Sequence, residues 1–205
     1  QLLKQRSHEP MKAKSAYQKE YGVLFGKLEE LSQMPLKPKE KFEQLDEDEV
    51  AAHLEAGGSF SHFMAQFESR SQQIEMARMV ANAFNNSKHF LIEAGTGTGK
   101  SFAYLVPAAL WAITNQTRVV ISTNTINLQD QLIKKDIPDT KQALHLDLNA
   151  TVLKGRGNYL CPRRLEGLRH RGPRSRDEMR LLAKVLIWLY QGGTGDRGEL
   201  NLNGG

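Results

Sequence analysis

Residues 93–101 read EAGTGTGKS, and no other stretch limits the possible fold as tightly. Gly95, Gly97 and Gly99 alternate with Thr96 and Thr98, and Lys100 and Ser101 follow. A backbone with glycine at every second position can curl until its N–H groups converge, and a Cβ there would obstruct the curl or the close approach of a ligand. The apolar run HFLIEA precedes the stretch, and the helix-forming KSFAYLVPAALWAITNQ overlaps its end. A strand that feeds such a turn into a helix is the setting in which the turn binds phosphate, because the helix N-terminus adds partial positive charge. In that arrangement residues Ala94 to Ser101 cradle a nucleotide. Lys100 reaches the β- and γ-phosphates as the catalytic cation, and the Ser101 hydroxyl ligates Mg²⁺. The strict pattern asks for glycine where Ala94 stands; a methyl group is tolerated there if φ stays negative. ATP and Mg²⁺ are the expected ligands.

The rest of the chain supplies a matching architecture. After the loop come the apolar run RVVIST (118–123), the helical TINLQDQLIKKDI, the run NATVLKG (149–155) and the helical stretches YLCPRRLEGLRH and SRDEMRLLAKVLIWLYQ. Strand and helix in alternation, joined by short connections, predict an α/β fold with a parallel sheet covered on both faces. Ahead of the loop, LDEDEVAAHLEAGG reads as a short helix with acids in its first turn and Gly57 to end it. A further helix over 71–84 carries Ile74, Ala77, Ala81 and Phe84 on an inward face. Residues 1–44 read as a helical connector broken by the prolines of MPLKPKEKF. The expected division is a connector at 1–44, the first part of an ATP-binding domain at 45–160, and a helical segment at 161–205.

Charge is uneven. Net charge is +5, but from Lys154 to Arg180 nine Lys and Arg (154, 156, 163, 164, 169, 171, 174, 176, 180) face three acids (166, 177, 178). Such a run is either a solvated helix surface or the footprint of a polyanionic partner. No apolar run reaches the ~18–20 residues that a membrane-spanning helix requires. The one cysteine, Cys161, excludes an internal disulfide, and a cytoplasmic location is expected. The histidines at 8, 53, 62, 89, 145 and 170 show no metal-ligand spacing.

Three further stretches narrow the function. FESRSQQIEM places Gln73 ahead of the loop, with Arg70 one helical turn before it. A primary amide can pair bidentately with adenine, or it can be an ordinary surface side chain. VVISTNTINLQDQL offers hydroxyls at a strand end and helix start. These can meet a nucleic-acid phosphate or simply cap the helix. LKGRGNYLCPRRLEGL joins the basic run to Cys161. Together these stretches resemble superfamily 2 helicases, and Lys-Gly-Arg-x-Asn-Tyr-x-Cys, with GDRGELNL further on, closely resembles the DinG branch of the XPD-like helicases. The resemblance covers roughly residues 60–205.

The resemblance implies a partial RecA-like domain in which Gln73 and Arg70 serve the nucleotide. Thr123, Thr125 and Gln129 would touch single-stranded DNA, and Arg163 and Arg164 would add basic contacts beside them. It also implies that Cys161 is the first of four ligands to a [4Fe–4S] cluster in an inserted domain, against the plainer reading of a lone cysteine as a small hydrophobe. Single-stranded or forked DNA is the implied partner, a monomer the implied state, and 5′-to-3′ translocation driven by ATP hydrolysis the implied activity. The family's Asp-Glu-x-His and second motor domain are absent from these residues, so a helicase fragment without efficient hydrolysis of its own is expected. The alternatives are a helicase fused to an upstream exonuclease domain, a DNA-binding regulatory ATPase that does not unwind, and a binding module with a degenerate loop.

Overall fold

The computed structural model describes residues 36–95 and 97–200. The helix expected within 1–35, Thr96 of the loop, and residues 201–205 lie outside the described residues. Contacts divide the chain into a unit of residues 36–152 and a second unit whose described part is 153–200. The division falls between Val152 and Leu153, ahead of the expected boundary at 160/161. No helix among the described residues is long and apolar enough to cross a membrane.

In the first unit α1 spans Glu47–Ala52. Asp46 caps it, accepting from the backbone N–H groups of Asp48 (2.9 Å) and Glu49 (3.2 Å). The acids Glu47, Asp48 and Glu49 complement the helix dipole. The helix ends before the expected stop at Gly57. Tight turns take over, with Gly57 at φ +83° and Gly58 packed where a Cβ would strike the Ala52 carbonyl. After the short α2 (Ser59–Phe63), α3 runs Ser71–Asn86 and buries Gln73, Ala77 and Ala81 on one face. The small Ala77 and Ala81 let α4 (Lys100–Thr114) approach closely. Val50, Leu54, Phe60, Ala77, Ala81, Val106 and Ala143 form the core, with the Phe102 ring tilted against Phe60 at 4.7 Å. α5 (Ile126–Gln131) continues through a π-helical turn, Leu132–Asp136, into α6 (Ile137–Ala143).

Residues 36–44, expected to close a connector, are strapped to this unit by amides. Asn115, fully buried, accepts from the Glu43 N–H (2.7 Å) and donates to the Glu43 carbonyl (3.1 Å). Asn85 does the same for Leu45, at 2.7 and 2.8 Å. Phe42 meets Trp111 edge-on at 5.6 Å, and Phe84 stacks on the same indole at 5.3 Å.

The expected strands 89–94, 118–123 and 149–155 are not paired into a ladder among the described residues. The isolated bridge found there joins Tyr159 to Asp196. A parallel strand is satisfied only by neighbours distant in sequence. Here Leu91, Val120 and Leu153 are 100%, 88% and 85% exposed, so nothing described covers these apolar residues.

The second unit pairs α7 (Pro162–Arg171) with α8 (Arg176–Tyr190) around Leu165, Val185 and Trp188. Ser175 caps α8 by accepting from the Glu178 N–H at 3.1 Å. Glu199 accepts from the Trp188 indole N–H (3.0 Å) and the Thr194 hydroxyl (2.5 Å), and these bonds hold its carboxyl below the usual range. Lys154 and Asp196 form a mostly buried ion pair at 2.6 Å that ties residues 153–161 to 195–198.

Candidate functional site

The glycine-rich loop opens α4 as the spacing predicts. Gly97 and Gly99 adopt φ +81° and +75°, a region that side chains rarely enter, and Gly99 is the N-cap of the helix. Lys100 folds its ammonium back over the loop, donating to the carbonyls of Ala94 (2.6 Å) and Gly95 (2.8 Å). The Thr98 hydroxyl donates to the Gly95 carbonyl at 3.0 Å. The cation thus sits against the carbonyls of the curl, where a phosphate would compete for it. The fit to a nucleotide's phosphates is good: residues with positive φ shape the curl, a lysine lies inside it, and the helix N-terminus faces it.

Two upstream side chains brace this loop. Gln73 is 3% exposed, and its amide N–H donates to the Gly99 carbonyl at 2.8 Å. A Cβ at Gly99 would overlap that amide. The Arg70 guanidinium donates to the Gly97 carbonyl and to Glu68 (3.0 Å). Gln73 is therefore not on an exposed helix face. It sits under the loop, on the Gln73–Ala77–Ala81 stripe that buries α3.

Ser101 lies on the first turn of α4. Burial raises the Tyr104 phenol above its ordinary range, with the Ser101 hydroxyl opposing the shift and the Asp136 carboxylate adding to it. Asp136 was not singled out in the sequence, yet it is 3% exposed and accepts from the Gln131 amide at 2.9 Å. One signal could have found it. Leu132, Asp136, Thr140 and Ala143 are all buried at helical spacing, so an acid stands on an otherwise inward face.

At the expected nucleic-acid stretch, Thr125 caps α5 by accepting from the Leu128 N–H at 3.2 Å. The Thr123 hydroxyl donates to the Thr125 carbonyl at 3.2 Å. Gln129 lies on the first turns of the same helix, partly exposed. The helix-capping reading therefore describes Thr125 in this structure.

In the second unit, Cys161 is exposed at the N-cap of α7, followed by exposed Arg163 and Arg164. Glu166 holds Arg169 (2.8 Å) and contacts His170, Glu178 holds Arg171 (2.8 Å), and Asp177 faces Arg180 (3.7 Å). Each acid of the basic run is thus matched to its own arginine. Among the described residues Arg163 and Arg164 make no ion pair and project charge outward. A [4Fe–4S] cluster takes four thiolates, the chain has one cysteine, and no group of three or more His, Cys, Asp or Glu able to hold a metal ion gathers among the described residues. These residues do not by themselves fit the cluster.

Residues 66–157 match the family described as type III restriction enzyme, res subunit. The chain is 40% identical over 153 residues to the 3′-5′ exonuclease DinG of Bacillus subtilis, covering 74% of this chain and 16% of that protein. It is 40% identical over 151 residues to the ATP-dependent DNA helicase YoaA of Haemophilus influenzae, covering 73% and 23%. It is 37% identical over 136 residues to the 3′-5′ exonuclease DinG of Staphylococcus saprophyticus, covering 66% and 15%. The chain spans less than a quarter of the length of each of these relatives.

Proposed function

We propose that the chain forms part of an ATP-driven DNA helicase of the DinG type, with the loop 94–101 as its nucleotide site; its likeness to the relatives above supports this reading. The observation that carries this reading is the braced loop: Gly99 in the left-handed region, held by Gln73, with Lys100 turned into the curl. In this reading Lys100 exchanges the Ala94 and Gly95 carbonyls for phosphate oxygens, and Ser101 offers its hydroxyl to Mg²⁺. Residues Ala94 to Ser101, including Thr96, line the phosphates. Arg70 and Gln73 serve the nucleotide, Gln73 by fixing the loop while its amide oxygen remains for the base. Bound Mg²⁺ would shield the phosphate charge.

Thr123, Thr125 and Gln129 present the start of α5 to single-stranded DNA, and Arg163 and Arg164 offer unpaired positive charge to the backbone. The segments 89–94, 118–123 and 149–155 are the strands of a RecA-like parallel sheet. Their exposed Leu91, Val120 and Leu153 are the apolar positions such a sheet would bury. A 45–160 motor segment and a 161–205 insertion remain our proposed division, with 5′-to-3′ movement of a cytoplasmic monomer on single-stranded or forked DNA.

In the longer protein, Lys100→Ala is expected to reduce ATP hydrolysis to background while circular dichroism stays unchanged. Turnover retained in that variant would overturn the loop assignment.

The names of two relatives above favour a second reading of the longer protein, a helicase motor joined to a 3′-5′ exonuclease. In that case Lys100→Ala leaves DNA degradation intact while ATPase activity is lost.

A further inference from the structure

In the second unit the segment that leads into α7 is held by the segment that follows α8. Lys154 and Asp196 stand 42 positions apart, yet the Lys154 ammonium reaches the Asp196 carboxylate at 2.6 Å, with the two side chains 10% and 17% exposed. The backbone closes beside them. Tyr159 bridges to Asp196, and the Leu160 N–H donates to the Gly195 carbonyl at 2.8 Å. The Arg197 guanidinium donates to the Gly157 carbonyl at 3.2 Å. Each partner of the ion pair is itself aimed. The Lys154 N–H donates to the Tyr159 hydroxyl at 2.8 Å, and Asp196 turns its other oxygen to the Gly198 N–H at 2.9 Å. Together these contacts form a clasp between residues 154–160 and 195–198.

The clasp ends where α7 begins. Leu160 is its last residue on that side, Cys161 is the N-cap, and the first turn of the helix carries Arg163 and Arg164. Both arginines are exposed, and neither makes an ion pair among the described residues. A helix start is aimed by the backbone that enters it, so the clasp sets the direction of these two charges. Stability alone does not call for an ion pair here. Burying two charges costs about as much as their attraction returns, and an apolar pair of the same volume would serve as well. What the charged pair adds, with its directed hydrogen bonds, is one fixed geometry. Lys154 belongs to the basic run by sequence, but its charge is matched by Asp196 and turned inward.

We propose that Lys154 and Asp196 are positioning residues of the nucleic-acid surface: their pair locks the entry into α7 so that Arg163 and Arg164 meet the backbone of single-stranded DNA together. This rests on the reading of those arginines given above and deepens it. Neither Lys154 nor Asp196 touches the strand; both act through the start of α7.

The test uses the full-length protein, a fluorescent oligo(dT) strand and a salt series. Lys154→Met removes a positive charge and Asp196→Asn a negative one, so a direct electrostatic role would move affinity in opposite directions. A positioning role moves it the same way. Both variants are expected to weaken oligo(dT) binding by about tenfold and to flatten the plot of log K against log salt by about 1.4, the slope of two phosphate contacts on a single strand. Arg163→Ala/Arg164→Ala should give the same loss, and adding Lys154→Met to it should cost no further affinity. Tyr159→Phe keeps the ring and removes only the acceptor of the Lys154 N–H. It decides the matter if the charge variants lower the melting temperature: a loss of about threefold supports the clasp, and binding at wild-type strength overturns it. Asp196→Asn that binds as tightly as wild type or more tightly would overturn the proposal. So would a full, additive loss from Lys154→Met in the double-arginine background. An Arg163→Ala/Arg164→Ala variant that binds oligo(dT) like wild type would instead sink the reading of the arginines as DNA contacts, and the proposal with it.

Discussion

The two units hold their functional surfaces in different ways. In residues 36–152 neutral amides bonded to backbone supply much of the bracing, beside the Arg70 guanidinium on the Gly97 carbonyl. Gln73 holds Gly99, Asn115 holds Glu43 and Asn85 holds Leu45. In residues 153–200 ion pairs supply it: Lys154–Asp196, Arg169–Glu166 and Arg171–Glu178. The difference suits the ligand proposed for each. A loop that must receive phosphate is best braced by groups without negative charge, such as the Gln73 amide and the Arg70 guanidinium, which add nothing that repels the ligand. A surface that must stay positive can use carboxylates as braces only if each is matched to its own arginine. Arg163 and Arg164 then keep their charge.

The amide side of that contrast gives the largest expected effect. Asn115→Ala removes a fully buried carboxamide and leaves the Glu43 N–H and C=O without their partners. Two orphaned part-buried backbone groups and the lost buried carboxamide should cost about 2–4 kcal/mol. Urea unfolding followed at Trp111, which packs beside this strap, is the measurement. A loss below about 0.5 kcal/mol would mean that residues 36–45 are held by Phe42 alone.

A somewhat smaller effect is expected at the loop. Gly99→Ala forces a residue with a Cβ into φ +75° and against the Gln73 amide. The backbone part alone costs about 1–2 kcal/mol. Gln73→Ala in the same chain should recover the overlap part but not the backbone part, so the double variant should be more stable than the sum of the single effects predicts. Strict additivity in thermal melts would show that Gln73 does not brace Gly99.

How much of this was legible in the sequence depends on how local each determinant is. The glycine loop, the caps Asp46, Thr125 and Ser175, and the helices 71–86, 100–114 and 176–190 follow from residues within a few positions of one another, and their spacing announces them. Gln73 was readable as a residue of interest, but its burial beneath Gly99 was not, because it depends on how α3 packs on α4. The strand segments are legible only in part, for the converse reason. Their apolar runs are plain, but a parallel ladder exists only when distant partners pair, and none does so among the described residues. Asp136, Asn115 and the π-turn carry no motif at all. Only the helical spacing of buried positions points to the first, and nothing local points to the other two.

The smallest effect separates the units by pH. Glu178 is held down to about 2 by the Arg171 guanidinium and the Arg174 N–H. A carboxyl depressed in the folded state gives stability that is fully present above its unfolded value near 4.5. That contribution fades as pH falls and is gone once pH passes below about 2. The pair is partly exposed, so its contribution is modest and weakens with salt. The first unit has its own sensor in His53, whose pKa is lowered chiefly by burial, with Glu49 opposing. Its neutral ring accepts from or donates to the Ser59 hydroxyl at 2.8 Å. A depressed histidine means that the unfolded chain binds the proton first, so this contribution is complete above 6.5 and is lost as pH falls below it. The chain has two tryptophans, Trp111 in one unit and Trp188 in the other, so each reports on its own unit once the other is replaced by Phe. The Trp111 signal should lose stability first, just below neutral pH. The Trp188 signal should hold to the carboxylate range and then soften. Glu178→Gln should remove that late softening while leaving the Trp111 profile untouched. An unchanged acid limb at Trp188 in Glu178→Gln would show that the Arg171–Glu178 pair does not stabilise the α7–α8 turn.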